Sequence, residues 1–164
     1  YGINDLLFNV VARGSVNLLF TLVGMALIDR WGRRVLLLVG FGGLSIIYLF
    51  FGLFYQLELK GFIMLASVLM GISLYAMTLA PTTWVVLSEI FPNKVRGLAM
   101  SIATMALWSA CFILTYTFPI LNNWAGASGT FWAFGVICIA GFIFIRKVLP
   151  ETKGKSLEEI EKEL

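Results

Sequence analysis

The stretch from Gly97 to Ile145, GLAMSIATMALWSACFILTYTFPILNNWAGASGTFWAFGVICIAGFIFI, runs for 49 residues without one Asp, Glu, Lys or Arg. A helix needs roughly 20 apolar residues to cross the hydrocarbon core of a bilayer, so this run is long enough to cross twice. Near its middle, Pro119, Asn122, Asn123, Gly126 and Gly129 supply the chemistry of a turn. Two further uncharged runs precede it, Val35 to Leu57 and Gly61 to Ser88. Across the chain 60% of residues are hydrophobic and 13% charged, against about a quarter charged in a soluble domain, and the mean hydropathy is +0.93. An isolated strand in lipid would leave backbone groups unpaired, so each span must be a helix.

The expected fold is therefore an all-α integral membrane protein with five transmembrane helices, over about 6–28, 35–55, 61–87, 97–118 and 130–149. Residues 150–164 are expected to form a cytoplasmic tail whose Ser156–Leu164 portion is a short amphipathic helix, capped by Ser156 with Glu159 three residues on. The first span is not a signal peptide: Tyr1 to Asn9 has no basic start, and the apolar run ends in charge. Five spans also make an odd number, which points to an incomplete chain. No repeat lies within these residues, so a matching copy of any repeat would lie outside them.

Orientation follows from the basic residues, which favour cytoplasmic loops. Arg30, Arg33 and Arg34 lie in the first loop, Lys94 and Arg96 in the third, and Arg146, Lys147, Lys153, Lys155 and Lys162 at or after the last span. That places ten of the twelve basic residues on one side. The N-terminus of the chain is expected outside and the C-terminus in the cytoplasm, in the plasma membrane or bacterial inner membrane. Membrane lipids are a partner by the same reasoning, since anionic headgroups attract such clusters.

Several chemistries are excluded or left without support. Histidine is absent, and Cys111 and Cys138 fall inside apolar runs where they act as small hydrophobes. No cofactor, metal site or catalytic residue is indicated, so the protein is not expected to be an enzyme. Nothing points to nucleic acid.

Polar residues inside spans avoid lipid and face protein or a watery cavity. Asn9, Arg13, Asn17 and Thr21 recur every four residues along one face of the first span, and Thr104, Trp108, Cys111 and Thr115 follow the same logic in the fourth. The two stripes suggest a shared polar cavity. As a structural alternative they glue the bundle, at about 0.6 kcal/mol per interhelical hydrogen bond. Asn17 suits a hydroxyl-rich ligand, because a mid-span amide needs up to four partners. Arg13 lies one turn outward, where it either snorkels to the outer interface or lines the cavity. Trp31, Trp124 and Trp132 fit an interfacial belt. Trp108 sits near mid-span, where an indole offers a flat face and one N–H donor to a sugar. Trp84 follows Pro81, which interrupts its helix. Core packing is the other reading of both.

Four motifs occur in order: Asp29-Arg30-Trp31-Gly32-Arg33-Arg34, Pro81-Thr82-Thr83-Trp84, Ser88-Glu89-Ile90-Phe91-Pro92 through Arg96-Gly97, and Pro150-Glu151-Thr152-Lys153-Gly154. The chain resembles the sugar porter family of the major facilitator superfamily over essentially its whole length. That family has twelve helices in two six-helix halves, and the chain is similar to helices eight to twelve, a C-terminal bundle without helix seven or the N-terminal half. The resemblance implies that Asn17, Trp84 and Trp108 contact the sugar. It also implies that Arg33, Glu89, Arg96 and Glu151 belong to an intracellular charge network that latches the two halves. Arginine forks hold carboxylates in pairs, and at a wet interface such pairs form and break. There are departures: Ala80 stands where Gly often precedes the Pro, and Leu107 and Cys111 replace amides beside the indole.

The function so implied is a secondary transporter moving a pentose or hexose by alternating access. Its partners are the monosaccharide, protons if transport is coupled, and the missing N-terminal half. The carboxylates here lie in loops, in the tail or at span ends, so any proton carrier is expected in the missing half. A non-transporting membrane structural or assembly protein is the alternative.

Overall fold

A computed structural model describes residues 3–58, 61–91 and 93–149, without the side chains of 3–9 and Ala12. The tail, with Glu151 and the expected 156–164 helix, lies outside the described residues, as does the side chain of Asn9. Five helices make up the described chain: α1 Ile3–Trp31, α2 Arg33–Gln56, α3 Phe62–Met77, α4 Leu79–Ile90 and α5 Arg96–Val148. Three helical stretches among the described residues are long and apolar enough to cross a membrane: Arg33–Gln56, Phe62–Ile90 and Arg96–Val148.

These elements divide the chain differently from the expected spans. One residue, Gly32, separates α1 from α2. Its φ of 88° and ψ of 154° lie where essentially only glycine is found, and its N–H still donates to the Ile28 carbonyl at 3.2 Å. This tight corner holds Arg33 and Arg34 at the start of α2 and leaves Arg30 in the last turn of α1, with no open connection between them.

The run expected as one span over 61–87 is broken at Thr78, which joins α3 to α4 with φ −111° and ψ −69°. Pro81 sits in the first turn of α4, where its missing N–H costs nothing. Its ring cannot pair with the carbonyl of Met77, four residues back. That carbonyl abuts Gly24 of α1, so closely that a methyl group on Gly24 would overlap it. The Thr78 hydroxyl donates to the Leu74 carbonyl at 2.6 Å, a local bond that satisfies a Thr inside an apolar bundle.

α5 takes the opposite course. Its 53 residues include the segment expected as a loop over 119–129, and non-helical backbone occurs inside it at Gly126 (φ 71°, ψ 175°). At 1.5 Å per residue α5 is about 80 Å long if straight, well over the roughly 30 Å of a hydrocarbon core. Residues 119–125 remain helical because they are uncharged and, after Pro119, compatible with helix; Gly126 makes the turn.

Beyond Gly126, α5 packs on α2. Tyr48, Phe51 and Tyr55 of α2 meet Phe131, with ring centroids 5.2 Å apart for Phe51 and 5.3 Å for Tyr55. Trp132 donates its indole N–H to the Leu49 carbonyl at 3.3 Å. Farther along, Gly141 faces Phe41, and Arg34 Nη2 donates to the Arg146 carbonyl at 2.7 Å. Later residues of α5 thus meet earlier residues of α2, so the two run antiparallel. A buried cluster of Leu37, Leu44, Leu79 and Val86 joins α2 to α3–α4, with Phe41, Cys138 and Ile145 packed against it.

The first part of α5 is covered far less. Leu98, Met105, Phe112 and Tyr116 are all exposed. So large an apolar surface belongs against lipid or further protein, not water.

Candidate substrate site and charge cluster

The clearest polar assembly joins residues 56 apart. Arg33 in the first turn of α2 presents its fork to Glu89 in the last turn of α4: Nε donates to Oε1 at 3.1 Å and to Oε2 at 3.2 Å, and Nη2 donates to Oε1 at 2.8 Å. The two side chains are only 16% and 26% exposed. Arg33 Nη1 also donates to the Ile28 carbonyl at 3.4 Å and lies 3.6 Å from Asp29 Oδ1, on a side chain 81% exposed. One guanidinium therefore ties the end of α1, the start of α2 and the end of α4 together. The pairing is possible because Gly32 brings Arg33 directly under the α1 terminus, while the extended backbone at Phe91 ends α4 just after Glu89.

The resemblance assigned Arg33, Glu89, Arg96 and Glu151 to a latch between two halves. Two of them, Arg33 and Glu89, are paired with each other within this chain. Arg96 begins α5 and donates Nε to the Phe91 carbonyl at 3.3 Å, bracing the turn between α4 and α5. Arg34 is a residue that sequence reasoning passed over. It clasps the Arg146 carbonyl at the end of α5, and its Nε is buried without a hydrogen-bond partner among the described residues. The Arg33-Arg34 doublet was the available signal: successive helical residues point in different directions, so the two must serve different neighbours.

The indoles occupy open positions. Trp84 on α4 is 43% exposed and Trp108 on α5 is 64% exposed, so neither is a packed core residue among the described ones. Asn17 on α1 is exposed too, and its carbonyl accepts from the Thr21 hydroxyl at 2.8 Å. Among the described residues α1 packs on α3 and α4 and not directly on α5.

Two cavities lie elsewhere. One of about 370 Å³ is lined by Tyr48, Leu114, Thr115, Phe118, Phe134 and Cys138, among others. Another of about 500 Å³ lies between α2, α3 and the part of α5 just past Gly126, with Tyr48, Tyr55, Tyr75 and Phe131 in its wall. Both are mainly apolar, and neither includes Asn17, Trp84 or Trp108. Thr115, expected on the same stripe as Trp108, faces the first of these. Thr82 is fully buried, and its hydroxyl has no hydrogen-bond partner among the described residues.

Helices long and apolar enough to cross a membrane, with a charge cluster at one end and polar side chains exposed along otherwise apolar faces, define the class as a multi-pass membrane protein. The chain belongs to the family of sugar (and other) transporters, whose sequence profile matches residues 2–164. It is 36% identical over 161 residues to the D-xylose-proton symporter of Escherichia coli, covering 94% of this chain and 33% of that protein. It is 39% identical over 150 residues to the arabinose-proton symporter of Bacillus subtilis, covering 91% of this chain and 32% of that one. Among solved structures, the inward-open conformation of the xylose transporter XylE from Escherichia coli matches with a TM-score of 0.87 and 35% identity, over 94% of this chain and 35% of that one. The major facilitator superfamily proton:xylose symporter XylE bound to 6-bromo-6-deoxy-D-glucose matches with a TM-score of 0.89 and 34% identity, over 98% and 35%. The chain spans about a third of the length of these relatives. The sugar porter resemblance carried by the four motifs is thereby established.

Proposed function

We propose that this chain forms five membrane spans of the C-terminal bundle of a transporter that moves a monosaccharide, a pentose or hexose, by alternating access. The observation that carries the reading is the exposure of the Trp84 and Trp108 indoles in a family of sugar transporters. In this reading Asn17, Trp84 and Trp108 form one wall of the sugar site, and the other half of the protein supplies the facing wall. α1, α2 and α3–α4 each cross once, and α5 crosses twice, turning at Gly126. The N-terminus of the chain lies outside and the C-terminus in the cytoplasm, because the arginine-rich ends of α2 and α5 favour that side.

The Arg33–Glu89 pair sets the cytoplasmic end of the bundle, and Arg96 and Glu151 complete the surface against which the other half docks when the outer side is open. Proton coupling, named for the xylose and arabinose relatives, is proposed for the whole protein, with its proton carrier outside these residues.

The test is uptake of radiolabelled pentoses and hexoses by the full-length protein in proteoliposomes, with and without a proton gradient. Saturable uptake that quenches tryptophan fluorescence in the wild type, with the quench reduced in Trp108→Phe, is expected. Absence of uptake for every monosaccharide, neutral or acidic, by folded protein would reject transport.

A further inference from the structure

Arg13 lies four residues before Asn17 on α1, about 6 Å farther along the helix axis and turned by about 40°, on the stripe that Asn17 and Thr21 continue. Both Arg13 and Asn17 are exposed, and no hydrogen bond or ion pair engages Arg13 among the described residues. Sixteen residues separate it from Asp29, or about 24 Å of helix rise, which sets it within the roughly 30 Å hydrocarbon thickness near its outer boundary. A charge there either snorkels to the outer interface or faces water, and the stripe it shares with Asn17 and Thr21 favours the water-facing side.

We propose that Arg13 extends the sugar site outward from Asn17 and makes the transporter selective for a monosaccharide carrying a carboxylate, a uronic or aldonic acid. This inference rests on the reading that Asn17 faces the sugar. One helical turn is about 5.4 Å, comparable with the width of a sugar ring. A ring held at Asn17 therefore places a substituent on its outer edge beside Arg13. The guanidinium carries five donors and no acceptor, and its planar fork matches a carboxylate in bidentate geometry. A neutral hydroxymethyl group in that place offers one oxygen and no charge. On a water-lining face, which the sugar-site reading requires, neither the arginine nor the arriving carboxylate loses all its hydration before the pair forms.

The experiment measures binding and uptake of galacturonate, glucuronate, galactose and glucose by the full-length protein in proteoliposomes, for the wild type, Arg13→Leu, Arg13→Gln and Asn17→Ala. The wild type is expected to prefer each acid over its neutral counterpart by about tenfold or more. Both Arg13 variants should abolish that preference by lowering affinity for the acids far more than for the neutral sugars, and Asn17→Ala should weaken acids and neutral sugars alike. Two neutral side chains of different polarity guard against a folding defect specific to one of them. If Asn17→Ala weakens sugar binding but the wild type shows no acid preference, or the Arg13 variants keep it, the Arg13 proposal is overturned and the sugar site stands. If Asn17→Ala leaves all four sugars unaffected, the underlying sugar-site reading fails, and the proposal with it.

Discussion

Removing one partner of the Arg33–Glu89 pair should have a cost that the geometry brackets. Two unit charges about 4 Å apart attract by about 4 kcal/mol at an effective dielectric constant near 20, and desolvation takes back much of that. An exposed ion pair contributes about 0 to 1 kcal/mol, whereas breaking a fully buried one costs about 3 to 5. With side chains 16% and 26% exposed and three contacts of 2.8 to 3.2 Å, this pair falls between the limits. Asp29 remains 3.6 Å from Arg33, so Glu89→Ala does not strand the guanidinium completely. We expect Glu89→Ala to destabilise the bundle by about 1 to 3 kcal/mol, and the coupling between Arg33→Ala and Glu89→Ala to be about 1 to 2 kcal/mol. The assay is a double-mutant cycle on the full-length protein, by reversible unfolding in mixed micelles followed through tryptophan fluorescence. Arg33→Lys should retain only part of the coupling, because an ammonium lacks the fork. A coupling within about 0.3 kcal/mol of zero, the usual error of additivity, would show that the pair does not join α2 to α4 energetically.

Other consequences are checked separately. Trp108→Ala should weaken sugar binding by about tenfold while changing unfolding stability by less than about 1 kcal/mol, because an indole so exposed loses little packing; isothermal titration and unfolding together test the division. Cys111 is exposed one turn from Trp108 on α5, so saturating sugar should slow its alkylation severalfold in the full-length protein relative to an unliganded control. Gly24→Val should destabilise α1 against α3 by about 1 to 3 kcal/mol through overpacking on the Met77 carbonyl, read as a lowered Tm in detergent; an unchanged Tm would mean that this close approach is not maintained.

Several structural decisions leave local signals in the sequence. The absence of charge from Gly97 to Ile145 identifies membrane-compatible helix because each charge in lipid is penalised wherever the helix lies in the bundle. Gly32 marks the α1–α2 corner for a comparable reason: its backbone angles exclude other residues. Pro81 announces an interruption, although its position alone does not show that the break falls at Thr78 or that the freed carbonyl rests on Gly24.

Side-chain partnership is another matter. In the antiparallel α2–α5 pair, Phe131 inserts among Tyr48, Phe51 and Tyr55, yet many other aromatics on these helices are equally apolar and remain exposed. A helix that is hydrophobic on every side carries no periodic mark of the face that packs. The sequence alone therefore determined helices, membrane character and the basic ends, because transfer free energy and backbone geometry act residue by residue. Only the tertiary structure decided that Arg33 meets Glu89, that Arg34 meets the end of α5, and that α1 packs on α3 and α4, because contacts between distant residues depend on how whole helices pack.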